Sequence, residues 1–175
     1  MAGYVEVARS SDAVYARVTG LGNFNNAGPF REYCEAAFDD GLRCVIVDLS
    51  ECTGLDSTFM GTLVGFVTFD SSDYEDTRPI AVTVVNATPV AQRAMASLGL
   101  PAMLYVKAEH VSCPETRLTR LREGWMDQKR RTKLVLDAHE HLARMDSANA
   151  ERFGPFIEKL AKEAHQHCNT RNPGG

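Results

Sequence analysis

The sequence predicts an α/β domain built on one mixed sheet, followed by an α-helical hairpin. Two short, β-branched apolar runs, at 43–49 and 80–85, alternate with stretches whose apolar residues recur at helical spacing. Two earlier alternating runs, at 4–7 and 14–18, are joined by Ser10-Ser11-Asp12, which is turn chemistry. The charge balance also changes near residue 110. Residues 1–110 hold 7 Lys/Arg and 14 Asp/Glu, a balance of −7, and residues 111–175 hold 12 and 9, a balance of +3, within a total of −4. The expected organisation is therefore a domain over 1–110 and a helical extension over 111–175.

The first two strands read as a hairpin. Residues 20–26, rich in Gly and Asn, read as a loop. Pro29 opens a helix to about residue 40, with Phe30, Tyr33, Cys34, Ala37 and Phe38 on one face and Gly41 as its stop. The run 43–49 is a strand covered on both faces, followed by a polar loop. A helix begins at Asp56 or Ser57 and carries Phe59, Met60, Leu63, Val64, Phe66 and Val67. A polar loop over 71–79 leads to the strand at 80–85. Thr88-Pro89 starts a helix with Val90, Ala94, Met95 and Leu98 inward, stopped by Gly99, and a last short strand spans 102–106.

Beyond the joint at 112–116, residues 117–122 suggest one or two helical turns. A helix is expected from about 128 to 144, with Leu134, Val135, Ala138 and Leu142 at helical spacing. Residues 145–147 break it. The final helix carries a stripe of Phe153, Phe156, Ile157, Leu160, Ala161 and Ala164, and Pro155 predicts a kink or a start within it. The two helices form an α-hairpin whose stripe packs inward or serves a homodimer, and the tail 169–175 is expected to be disordered.

Composition narrows the function. An apolar fraction of 44% suffices for a core, and no apolar run is long enough to span a bilayer. The N-terminus has no basic region followed by an apolar run, so no secretory signal is expected. Five scattered cysteines, Cys34, Cys44, Cys52, Cys113 and Cys168, fit reduced thiols and a cytoplasmic location. The net charge argues against nucleic acid as a direct partner, and no membrane partner is expected. No nucleophilic triad, P-loop or G-x-G-x-x-G is present, so the chain reads as a non-enzyme without a cofactor. The pairs His139/His141 and His165/His167 point about 200° apart on a helix, which suits solvated positions and no metal. The basic run 129–133 reads as a solvated face, with the acidic part of the chain as its simplest target.

One stretch carries the functional reading. Asp48-Leu49 ends an apolar strand, and Leu55-Asp56-Ser57-Thr58-Phe59-Met60-Gly61 opens a helix. A serine in a first helical turn can be a cap, and it also sits among unpaired N–H groups that suit a phosphate. The stretch resembles the signature of the STAS domain of bacterial anti-sigma factor antagonists, in which Asp-Ser-Ser/Thr-Gly-hydrophobe-Gly follows such a strand. The resemblance implies a mixed sheet with helices packed on one side. It implies that Ser57 occupies the position a partner kinase phosphorylates, with Thr58 as the alternative acceptor and Thr53 a weaker one. It further implies a partner surface of Asp56, Ser57, Thr58 and Phe59, with Asn23 and Asn25 beside it. The implied partners are an anti-sigma factor that is also a serine kinase, and a phosphatase. Phe59 departs from the pattern, which has glycine there, and Leu21-Gly22-Asn23 stands where the family often has Glu-Leu-Asp. Two other roles fit the same resemblance: a scaffold or signalling module of a larger complex, and an accessory binding protein for a small molecule or a lipid pathway.

Overall fold

The computed structural model describes residues 2–69, 77–112, 117–124 and 126–169. Strands β1 (Tyr4–Arg9) and β2 (Val14–Gly22) pair antiparallel, with Val5 opposite Val18 and Val7 opposite Ala16. Ser10 and Asp12 close the turn, where the Ser10 N–H donates to the Ala13 carbonyl at 2.9 Å. Strands β3 (Cys44–Leu55), β4 (Ala81–Val85) and β5 (Tyr105–Val106) then add in parallel beside β2. Strand β6 (Thr119–Arg120) pairs antiparallel with the outer edge of β1. The result is one six-stranded mixed sheet in the order β5-β4-β3-β2-β1-β6.

Several expected boundaries move. The Gly/Asn stretch is not all loop, because β2 continues to Gly22. The polar segment after Leu49 is strand as far as Leu55, paired with β2 through Gly20–Cys52 and Gly22–Leu55 across two register shifts. Helix α1 (Phe24–Asp39) begins well before Pro29, because Asn23 and Asn26 form a reciprocal capping box that fixes the start. Pro29 therefore lies inside the helix, which forgoes one backbone hydrogen bond there because proline has no N–H. The segment 117–122 is not helical, since Thr119 and Arg120 extend the sheet. The expected strand at 102–106 is shorter, because a 3₁₀ turn (Leu100–Ala102) precedes β5. The polar loop at 71–76, most of the joint and the tail from 170 onward lie outside the described residues.

The main core lies between one sheet face and the helices α1, α2 (Ser57–Val67) and α3 (Pro89–Ser97). Alternation places Val45, Val47 and Leu49 on that face, all fully buried. Phe30 stacks on Phe59 with centroids 5.7 Å apart, and Phe66 meets Phe30 and Phe38 edge-on at 5.5 and 5.6 Å. Each such ring contributes about 1.5–3 kcal/mol by burial. On the opposite sheet face Asp48 is buried and fully engaged. Its oxygens accept from the Tyr15 hydroxyl at 2.5 Å, the Ser50 N–H at 2.9 Å and the Asn86 amide at 3.3 Å, with Arg17 at 3.4 Å. Burial alone would raise the Asp48 pKa, but these hydrogen bonds outweigh it and hold the carboxyl below its ordinary range.

Helices α4 (Gln128–Ala143) and α5 (Ser147–Asn169) form the hairpin. Helix α5 starts at Ser147 and runs through Pro155. Helix α4 lies directly on α2. The Asn149 amide at the start of α5 donates to the Leu98 carbonyl at 2.9 Å, fastening α5 to the end of α3.

Candidate functional site

The candidate site is built at the point where β3 becomes α2. Asp56 has extended backbone, φ −87° and ψ 168°, and acts as the N-cap of α2. One carboxylate oxygen accepts the Phe59 N–H at 2.8 Å, and the other accepts the Phe24 N–H at 2.9 Å. The Asp56 N–H in turn donates to the Gly22 carbonyl at 2.9 Å. One side chain thereby satisfies orphan donors at the heads of two helices and holds those heads side by side. Asn23 is half-buried, and its side chain accepts the Asn25 N–H at 2.9 Å.

Ser57 is the first residue of α2 and is half-buried. Its Oγ lies 2.9 Å from Nε2 of His139 on α4. The tautomer follows from the other ring nitrogen. His139 Nδ1 lies 2.6 Å from the Val135 carbonyl, which can only accept, so Nδ1 carries the hydrogen. In the neutral ring Nε2 is then a bare acceptor, and the Ser57 hydroxyl donates to it. Burial pushes the His139 pKa below its ordinary value, against weaker opposing pulls from the Val135 carbonyl and the Asp56 carboxylate. The rings of Phe153 and Phe156 stand edge-on to the imidazole, at 5.1 and 4.9 Å.

The expected site residues divide. Asp56 and Ser57 stand together as expected, and Asn23 and Asn25 lie at the adjoining head of α1. Thr58 and Phe59 do not form an outer surface. Thr58 is 5% exposed and Phe59 is 0% exposed, because both side chains fall on the inward side of α2. The ring at 59 thus fills the core against Phe30 rather than standing beside the serine.

The His139/His141 spacing predicts a solvated position for His139, but the residue is 4% exposed and its ring is bonded to Ser57. The signal was present in the sequence. His139 falls on the same helical stripe as Val135, Ala138 and Leu142. His141 is half-buried and rests over Gly65, where an added Cβ would meet its Nδ1 at 2.6 Å. Among the described residues, no group of three or more His, Cys, Asp or Glu is arranged to hold a metal. Part of the basic run faces α1: Arg130 approaches Glu32 at 3.7 Å, and the Arg131 guanidinium lies over the Phe24 ring at 5.6 Å.

Residues 4–113 match the family model of the STAS domain, more than half of the chain. The chain belongs to the STAS domain family. The STAS span includes the sheet strands β1–β5 and helices α1–α3, with Asp56 and Ser57 inside it; α4 and α5 fall beyond it. Among solved structures, the chain is similar to the anti-sigma factor antagonist SpoIIAA in its unphosphorylated form, with 15% identity, a TM-score of 0.48, and coverage of 61% of this chain and 89% of that one. It is also similar to an anti-sigma factor antagonist from Mycobacterium paratuberculosis, with 17% identity, a TM-score of 0.48, and coverage of 62% and 87%. No curated protein matches the chain. No helix among the described residues is long and apolar enough to cross a membrane.

Proposed function

We propose that this STAS protein is an anti-sigma factor antagonist of the partner-switching kind, with Ser57 as its phosphorylation site. The observation that carries the reading is the placement of Ser57. It is a hydroxyl at the first position of α2, next to the Asp56 cap and within the STAS span. A kinase would transfer the terminal phosphoryl group of a nucleoside triphosphate to Oγ. The new P–O bond forms there, the bond to the diphosphate breaks, and the hydroxyl proton leaves to a base of the kinase. The unmodified head of α2, with Asn25 exposed beside it, docks on the anti-sigma factor. A phosphate adds nearly two negative charges next to the Asp56 carboxylate, so a partner that covered the hydroxyl would have to desolvate a dianion, and it lets go. In this role the chain is a substrate and a competitor, and a phosphatase restores it.

Intact-mass measurement on the full chain isolated from its own cells tests the reading. A mass increase of one phosphate that disappears in Ser57→Ala, together with a captured partner that binds the serine form and not a Ser57 phosphoserine form, is the expected result. Equal capture by both forms overturns it.

A further inference from the structure

The face of α2 that begins with Ser57 is already covered. Gly61 and Gly65 lie four residues apart, and so share one side of the helix. An added Cβ at Gly61 would overlap the Ala138 carbonyl, and one at Gly65 would strike the His141 ring at 2.6 Å. The two glycines thus leave a track on α2 that the Ala138 backbone occupies at Gly61 and the His141 ring occupies at Gly65. At one end of that track His139 accepts the hydrogen bond from Ser57 at 2.9 Å. Farther along, Arg31 of α1 donates to Asp137 of α4 at 2.9 Å, while Asn149 holds the start of α5 to Leu98. The hydroxyl is therefore both half-buried and engaged.

We propose that α4 and α5 act as an intramolecular cover on the Ser57 face of α2, that a kinase or partner gains that face only when the cover lifts, and that a phosphate on Ser57 keeps it lifted. This rests on the phosphorylation reading above and adds its regulation. The steric argument comes first. A serine Oγ at hydrogen-bonding distance from Nε2 leaves no room for a phosphoryl group between them, and Phe153 and Phe156 stand against the imidazole. The electrostatic argument has the same sign. In the covered state Oγ faces the bare Nε2 lone pair and stands beside the Asp56 carboxylate, so a dianion there meets two electron-rich groups. By linkage, whatever pulls α4 away makes Ser57 a better substrate, and the phosphate disfavours the return of α4 to the same extent.

Hydrogen exchange with mass spectrometry on the full chain tests the cover without any kinase or partner. Three proteins are compared with wild type: one carrying phosphoserine at position 57 by genetic encoding, Gly61→Ala, and Lys162→Ala as a control at an exposed position of α5. The phosphoserine chain and Gly61→Ala are expected to lose at least tenfold protection across α4 (Gln128–Ala143), while β1, β3 and β4 keep theirs and Lys162→Ala changes nothing. Unchanged protection of α4 in the phosphoserine chain overturns the proposal. Loss of protection in the sheet as well, in both Gly61→Ala and the phosphoserine chain, also overturns it, because the hairpin would then be part of one cooperative unit. A chain that opens in this assay but carries no phosphate when isolated from its own cells removes the switch reading and leaves the cover standing.

Discussion

Asp56 accepts the backbone N–H of Phe24 at 2.9 Å from across 32 residues of chain, so the start of α1 is fixed by the residue that starts α2. Replacing Asp56 with Ala removes this bond and the cap on Phe59 together. Helix caps contribute about 1 kcal/mol, and hydrogen bonds to a charged group contribute about 1.5–3 kcal/mol, so Asp56→Ala is expected to lower stability by about 2–4 kcal/mol. Asp56→Asn, which keeps one acceptor oxygen, should lose roughly half of that. Urea midpoints of the three proteins check the order.

Phe59 stands where the family pattern has glycine, yet it is fully buried against Phe30. Phe59→Ala is expected to cost about 3–5 kcal/mol through the cavity it leaves. Phe59→Gly adds about 1 kcal/mol of helix propensity and is worse still. Restoring the family residue here therefore damages the protein, measurable as a fall in thermal midpoint. A smaller loss for Phe59→Gly than for Phe59→Ala would contradict the packing described.

Two helical glycines should both resist alanine, for different reasons. Gly154 precedes Pro155, whose ring crowds a Cβ on the residue before it in helical backbone, so Gly154→Ala is expected to gain none of the usual propensity benefit of about 0.5–1 kcal/mol. Gly61→Ala faces the Ala138 carbonyl and is expected to destabilise the packing of α4 on α2. Chemical denaturation of both variants beside wild type checks this, with no gain for the first and a clear loss for the second.

Acid should weaken the attachment of the hairpin before it reaches the carboxylates. Burial is the largest influence on both His139 and His141, and it lowers both pKa values. His139 faces Asp56 and the Val135 carbonyl, and His141 faces Asp137, Arg144 and Arg31; the acidic neighbours and the carbonyl offset part of the lowering. A histidine whose folded pKa lies below its unfolded value, about 6.5, is protonated first in the unfolded chain. The stability of the neutral rings is then complete above about pH 6.5 and is lost as the pH falls from there toward the folded values. Protection of α4 measured between pH 7.5 and 5.5 should decline, and His139→Gln should flatten part of that decline. A rise in α4 protection on acidification would contradict the neutral His139 tautomer.

The sequence made the Asp56-Ser57 helix start readable because cap chemistry is local: the residues that identify the cap are the ones that form it. The apolar strand 43–49 and the helix faces of Phe30, Leu63 and Met95 were readable for the same reason, since burial follows period. What escaped notice depends on distant partners. Residues 50–55 look like loop because Glu51 and Thr53 are exposed, and only the pairing with β2 makes the segment a strand. Pro29 suggested a helix start that the Asn23–Asn26 box places earlier. The bond from Ser57 to His139 spans 82 positions, and no local pattern encodes it, although the helical stripe already put His139 on the inward side.

The two residues of β6 have a consequence for how this protein is divided. Thr119 and Arg120 occupy the outer rim of β1 opposite Val7 and Glu6, and the Leu121 N–H continues the ladder by donating to the Val5 carbonyl at 2.9 Å. A fragment cut where the family match ends, at residue 113, would leave those amides and carbonyls of β1 bare. An uncovered strand rim invites pairing with a neighbouring chain. Such a fragment would be more prone to self-association than the full chain, whose own short strand occupies that rim.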